Sequence, residues 1–264
     1  GSIPLTWDNY KSNGKLGTVI KNSAIQKSIF NKLSDIKQYN SFVTNTSNNQ
    51  FERTLYLDNK QNIKTHLLLS ADGKNSYTRE LLSINTINKN TNHVAISGFL
   101  QQSKDHNGIA IQGFTKFGPI GILPFENNNI VNFVQSIEKS KFRQIMSKEN
   151  PEDYLCEHLN NFFSNIDLSF KPLKKSNQLN KKISSWEMDL NLITNPTGSR
   201  AILLGDAAHS IHPLAGQGFN LAIRDCVSVI RSISKVIRFG KDVGDKDIID
   251  FYKSDRITHT LAMT

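Results

Sequence analysis

Residues 200–225 read R-A-I-L-L-G-D-A-A-H-S-I-H-P-L-A-G-Q-G-F-N-L-A-I-R-D. A short apolar run closes on Gly205 and Asp206, a turn-rich stretch with Pro213, Gly216 and Gly218 follows, and a long helical pattern then begins. This is the pattern of a strand that delivers a carboxylate to the edge of a cleft, followed by backbone amides gathered at a helix N-terminus. A carboxylate held there accepts hydrogen bonds from vicinal hydroxyls, each contributing about 1.5–3 kcal/mol when charge-assisted. Pro213 fixes a backbone angle and removes a donor, Gly216 and Gly218 carry no Cβ and permit close approach of a flat ligand, and Gln217 and Asn220 supply amide groups. The helix turns its positive end toward the same ligand, which suits the edge of a ring that becomes anionic on reduction. A lone Gly-Asp is an ordinary turn or helix cap, and a lone G-x-G a flexible loop. The run from Gly205 to Asn220 as a whole is neither.

Downstream, Phe219, Ile223, Val227, Ile230, Ile233 and Ile237 fall on one face of a helix that Gly240 can stop. A further helix over Lys246 to Thr264 runs to the end of the chain. Upstream, residues 1 to about 18 read as irregular. Ser23 and Gln26 make a capping box, and Ile25, Ile29, Phe30 and Leu33 a stripe, which predicts a helix over Ser23 to Leu33. Strands are predicted over Ser41 to Thr46, Phe51 to Leu57 and Ile63 to Ser70. From about Asn85 the pattern alternates and predicts a largely antiparallel sheet: His93 to Gln101, Gly108 to Lys116, Gly121 to Phe125 and Ile130 to Gln135. Asn150 caps a helix with Pro151 in its first turn and Leu155, Leu159 and Phe162 as its buried stripe, and Ile183 to Leu190 reads as a returning strand.

The 264 residues suffice for one large or two modest domains, and no window approaches the ~18 apolar residues of a membrane span. The polar N-terminus shows no signal peptide, and Gly1 and Ser2 read as a cloning remnant. Cys156 and Cys226 are the only cysteines and have no metal spacing, which fits a reducing cytoplasm. The net charge of +9 suits an anionic partner or a surface composition bias; without a dense Lys/Arg block interleaved with aromatics, nucleic-acid binding is not expected.

The segment from Gly205 to Asn220 resembles the second FAD fingerprint of the flavin-dependent aromatic hydroxylases, the single-component group A monooxygenases, and is most similar to their ubiquinone-biosynthesis subgroup. Leu16 to Leu33 looks like the helix before the family's middle fingerprint, Ser70 to Arg79 (S-A-D-G-K-N-S-Y-T-R) like its A-D-G-x-x-S-x-x-R motif, and Phe114 to Phe125 (F-T-K-F-G-P-I-G-I-L-P-F) like the strands that roof the flavin. The resemblance implies a mixed α/β (α+β) fold. An incomplete FAD/NAD(P)-binding Rossmann-like domain would occupy residues 1–84 and 199–264, and a mostly antiparallel substrate-binding sheet domain residues 85–198.

It also implies site roles. Asp206, beside Gly205, would bind the FAD ribityl chain, Pro213 would sit by the isoalloxazine ring, and Gly216, Gln217, Gly218 and Asn220 would face its pyrimidine edge. Asp72 and Gly73 would lie near the pyrophosphate and serve NAD(P)H, with Arg79 as a brace. Phe114, Phe117, Pro119, Ile122 and Leu123 would line a pocket for a prenylated phenol that receives oxygen from O2. No side chain is assigned as acid, base or nucleophile, and no metal is expected. His209 and His212 read as packed turn residues.

The resemblance further implies a cytoplasmic protein peripheral to the inner membrane, alongside other quinone-biosynthesis proteins. The family's G-x-G-x-x-G unit has no counterpart here, so the chain reads as a partial form, with about the first third of a typical member missing upstream of Trp7. An unpaired sheet edge, exposed apolar surface, weak or no FAD binding and self-association are expected. A degenerate or split subunit without turnover, or a hydroxylase or epoxidase for another aromatic, are the alternatives.

Overall fold

The computed structural model describes residues 17–173, 183–210 and 217–261. In chain order the helices are α1 (Asn22–Phe30), α2 (Tyr77–Leu81), α3 (Lys139–Met146), α4 (Pro151–Phe163), α5 (Gln217–Arg238) and α6 (Lys246–Leu261). The strands are β1 (Val43–Asn48), β2 (Arg53–Leu57), β3 (Asn62–Thr65), β4 (Leu68–Ser70), β5 (Ile87–Gln102), β6 (Ile111–Thr115), β7 (Gly118–Pro124), β8 (Ile130–Glu138), β9 (Phe170–Pro172), β10 (Ser184–Leu192), β11 (Thr197–Gly198), β12 (Ala201–Leu203) and β13 (His209–Ser210). The fold is mixed α/β, and the chain forms two compact units, Gly1–Gln38 with Val94–Glu187, and Tyr39–His93 with Met188–Thr264.

In the first unit β6, β7 and β8 form an antiparallel ladder, with Phe114 opposite Pro119 and Ile122 opposite Phe133. β5 lies beside β8, and β9 pairs with β5. Strand side chains alternate between faces. Ile120, Ile122, Val131, Phe133 and Ile137 point to the face that α3 and α4 cover with Ile145, Leu155, Leu159 and Phe163, and these residues are the core. Between β6 and β7 the backbone reverses at Gly118, whose φ is +130°. A Cβ there would lie 2.0 Å from the Ser136 carbonyl oxygen.

The second unit holds two small sheets. β1, β2 and β3 are antiparallel. β12 pairs parallel with β4, Ala201 opposite Leu68 and Leu203 opposite Ser70, and β11 closes the other side of β12. Behind this sheet Ile202, Leu204, Val229 and Tyr252 pack together, and Val236, Ile248 and Ile249 continue the layer. Buried Arg200 bonds the carbonyls of Gln50 and His66 and pairs with Asp242 at 2.6 Å. That guanidinium holds the Asp242 carboxyl below its usual range.

Several local expectations are corrected. α1 starts at Asn22 and has no side-chain cap, because Asn22 is itself helical and Lys21 takes the cap position. None of its residues is buried. Asn150 precedes α4 as expected, but its side chain makes no cap bond. The predicted strand over Ile63 to Ser70 is two strands in different sheets, broken at His66 and Leu67, where Thr65 Oγ1 donates to the Leu67 carbonyl.

Gly118→Ala is expected to cost about 2–4 kcal/mol, because it combines a disfavoured φ with a backbone clash. A lowered urea midpoint at unchanged m-value is the readout.

Candidate functional site

The second unit brings two sequence motifs to one sheet edge. β4 and β12 run in the same direction, so the turns after their C-terminal ends are neighbours, and the Leu204 amide donates to the Ser70 carbonyl at 2.8 Å. In parallel α/β sheets ligands bind outside the carboxyl ends of the strands.

After β12 the chain passes through Gly205 at φ +57°, a left-handed turn that glycine takes without strain. A Cβ at Gly205 would meet that of Ala222 on α5 at 3.2 Å. From Ala201 to His209 every residue is buried except Asp206. Asp206 accepts no hydrogen bond from any described residue. Its carboxylate, unbonded by described residues at the mouth of a buried strand, fits a ligand carrying several hydroxyls.

Pro213 and Gly216 lie outside the described residues, as do His212 and the side chain of Gln217. α5 begins at Gln217, with Gly218 half-buried and Asn220 exposed. Among the described residues, nothing beyond its own helix stands within 4 Å of where a Gly218 Cβ would be. Its first amides have no partner within the helix.

The turn after β4 is held from within. Asp72 Oδ1 accepts from the hydroxyls of Ser70 and Ser76, and Oδ2 from the Thr78 amide at 3.0 Å. Ser76 also caps α2 by accepting from the Arg79 amide. Burial opposes the charged form of Asp72, but these bonds outweigh it and bring the carboxyl down to about 2. Asp72 therefore shapes the turn, and Gly73, at φ +86° with open space around it, is the part that a ligand can approach. Arg79 joins the two motifs, because its guanidinium donates to the Ala207 carbonyl at 3.2 Å and to the Lys74 carbonyl at 3.1 Å.

The residues expected to line a pocket do not share a face. Phe114 is 73% exposed, and Pro119 and Leu123 lie on the same open side of the first unit's sheet. Ile122 is 1% exposed in the helix-covered core. Phe117 also packs against that core, with its ring 3.9 Å from that of His158. The period-two alternation of a strand separates them.

The apolar stripe read along α5 lies on its outward face. Phe219, Ile223, Val227, Ile230 and Ile237 are exposed, and only Ile233 packs inward. The buried side carries Leu221, Asp225, Ser228, Val229, Ser232 and Val236, with several small residues that let the helix sit close to the sheet. α5 thus has two apolar faces, of which the bulkier is uncovered. Cys226 is exposed on this helix, and burial and the Asp225 charge raise its thiol pKa.

Sequence reading missed Asp225, Arg256 and Tyr252. Asp225 accepts from the Gly205 amide and from His209 Nε2, both at 2.8 Å, and from Arg256 Nε at 2.6 Å. His209 is a packed residue of this network, not an exposed one. Tyr252 donates its hydroxyl to the Leu203 carbonyl. The spacing of Asp225 midway between Leu221 and Val229 was the available signal.

The Asp72 carboxyl lies lower in the folded chain than its ordinary 3.8. Its contribution to stability is therefore fully present above about pH 4 and lost as pH falls toward 2. The thermal midpoints of the native chain and Asp72→Asn should differ by a constant amount from about pH 5 to 8 and converge below about pH 4.

Among known proteins, a family model described as "FAD binding domain" matches residues 27–264. Ubiquinone biosynthesis monooxygenase COQ6, mitochondrial, of Xenopus tropicalis is 29% identical over 230 residues, which cover 77% of this chain and 49% of that protein. The Schizosaccharomyces pombe protein of the same name is 31% identical over 226 residues, 74% of this chain and 47% of that one. The chain spans about half the length of these relatives. Solved structures share the fold. Pseudomonas aeruginosa pqsL, described as a probable FAD-dependent monooxygenase, superposes with a TM-score of 0.72 at 16% identity, over 91% of this chain and 66% of that one. Klebsiella pneumoniae HpxO complexed with FAD and uric acid gives 0.66 at 18%, over 92% and 62%. With nine-tenths of its length inside that match, the chain belongs to the FAD binding domain family of flavoprotein monooxygenases.

Proposed function

We propose that this chain is part of an FAD- and NAD(P)H-dependent monooxygenase that hydroxylates a prenylated phenol in ubiquinone biosynthesis. The observation that carries the reading is Asp206, the one exposed residue in an otherwise buried run at the carboxyl end of a parallel strand. Its free carboxylate would accept hydrogen bonds from the ribityl hydroxyls. Gly218, with open space beside it, would let the isoalloxazine edge reach the N-terminus of α5, whose dipole favours added negative charge. Pro213, Gly216, Gln217 and Asn220 complete this edge in the reading. The turn at Asp72 and Gly73 would face the pyrophosphate and the nicotinamide cofactor.

When bound and reduced, FAD supplies the activation of O2 for transfer of one oxygen atom to an electron-rich ring. The protein's part is binding, orientation and exclusion of water. Phe114, Pro119 and Leu123 are the candidates for the wall against an aromatic ring, while Phe117 and Ile122 back that wall from the core. An apolar substrate tail favours peripheral contact with the membrane that dissolves it, in a reducing compartment and beside other quinone-biosynthesis proteins. The curated relatives are named as mitochondrial. Among the described residues no helix is long and apolar enough to cross a membrane.

The outward face of α5 and the unpaired side of β4 favour a qualification. Leu69 on β4 is 42% exposed, and parallel strands are ordinarily paired and covered on both faces. We infer that turnover needs further flavin-domain structure over this face, such as the relatives' greater length supplies. A split, non-catalytic subunit is the reading that remains if no such structure restores activity.

The chain alone is expected to carry far less than one FAD per molecule, and purification of a stoichiometric yellow flavoprotein from it would overturn this. Light scattering should show a mass that rises with concentration, and Ile230→Glu should return the chain to monomer. Asp206→Ala should weaken FAD binding by about 10–100-fold, the equivalent of one charge-assisted hydrogen bond, with little change in thermal midpoint. Unchanged flavin affinity would contradict the assigned role.

A further inference from the structure

We propose that Asp225 is a positioning residue for flavin binding, and that it aims Asp206 by fixing the turn on which Asp206 stands. The proposal rests on the flavin reading of Asp206 and goes beyond it to residues that touch no ligand. Asp225 has no solvent exposure. A carboxylate that far from water must have its charge paired and its lone pairs filled. Arg256 of α6 balances the charge through Oδ1, and Oδ2 takes the Gly205 amide and His209 Nε2.

These two donors are the residue before Asp206 and the residue three after it. Gly205 donates its amide to Asp225 from the left-handed conformation that the turn adopts. On the other flank, the Ala207 carbonyl is held by Arg79. Charged groups from α2, α5 and α6 thus pin the backbone on both sides of Asp206, while no described residue bonds the Asp206 side chain.

Packing alone does not explain the choice of residue at 225. The same side of α5 is filled by Leu221, Val229 and Val236, and an apolar side chain would serve the core as well. His209 Nδ1 and Arg256 Nη2 are buried without a hydrogen-bond partner, so the network is not arranged for the greatest number of bonds. What it does fix is direction, because its acceptor geometry sets the backbone at Gly205 and the ring at His209. It is an ionic anchor whose product is orientation.

The test compares the native chain with Asp206→Asn, Asp225→Asn, the double variant, and Asp242→Asn as a control for loss of an ion pair elsewhere in the same unit. FAD binding is followed by calorimetric titration into the millimolar range. The Gly205 amide and the Asp206 carboxyl carbon are followed in parallel by heteronuclear NMR. Asp225→Asn should weaken FAD binding at least tenfold. The double variant should bind no worse than Asp206→Asn, and Asp242→Asn should stay within twofold of the native chain. The Gly205 amide should lose its hydrogen-bonded shift, and the Asp206 titration should move. Native affinity in Asp225→Asn, or losses that multiply in the double variant, would overturn the proposal. If the native chain binds no FAD up to the millimolar range, it lacks the flavin-domain structure that binding needs, and NMR decides the positioning on its own: a Gly205 amide shift unmoved by Asp225→Asn sinks it. Should Asp225→Asn not fold, His209→Gln, which removes one of the two donors to Oδ2, should weaken binding at least threefold, and native affinity there would also overturn the proposal.

Discussion

The parallel pairing of β4 with β12 is the contact on which the site depends. Each strand is only three residues long, yet their register sets Ser70 opposite Leu203 and so places both turns at the same edge. Antiparallel pairing would send one of the two turns to the far end of the sheet. The motif around Asp72 and the motif around Asp206 lie more than a hundred residues apart in sequence, and this short ladder brings them to one edge.

So short a ladder offers few hydrogen bonds, and the second unit supplements it with arginines. Arg53 reaches from β2 to the Ser199 carbonyl. Arg200 binds two carbonyls and Asp242. Arg79 spans the two motif turns, and Arg256 neutralises Asp225. The planar guanidinium, with five donors in fixed directions, can join segments that no continuous strand connects. The first unit has no such need. Its broad antiparallel sheet and helix layer provide one contiguous apolar core.

What could be read from sequence followed this division. The alternation in β6, β7 and β8 announced an antiparallel sheet, since period-two burial is imposed by the strand itself. Pro151 marked the start of α4 because it lacks a donor that the first helical turn does not use. The strand, turn and helix around Asp206 could be read because a short apolar run, a glycine and a long helical period follow one another there. Which face of α5 is buried could not be read, because both faces are apolar and periodicity reports only that a stripe exists. The sheet takes the slimmer stripe with its two serines, and the bulkier one faces outward. Asp225 escaped notice for a related cause: a single acid within a helix ordinarily faces water, and only the third dimension shows that Gly205, His209 and Arg256 surround it.

Cys226 follows from the same helix. Its thiol is reachable from solvent, yet partial burial and its neighbour's negative charge raise its pKa, which disfavours the reactive thiolate. A slow but accessible sulfur is a built-in footprinting probe. Its modification rate would record, without any added label, whether another surface has come to rest against the helix.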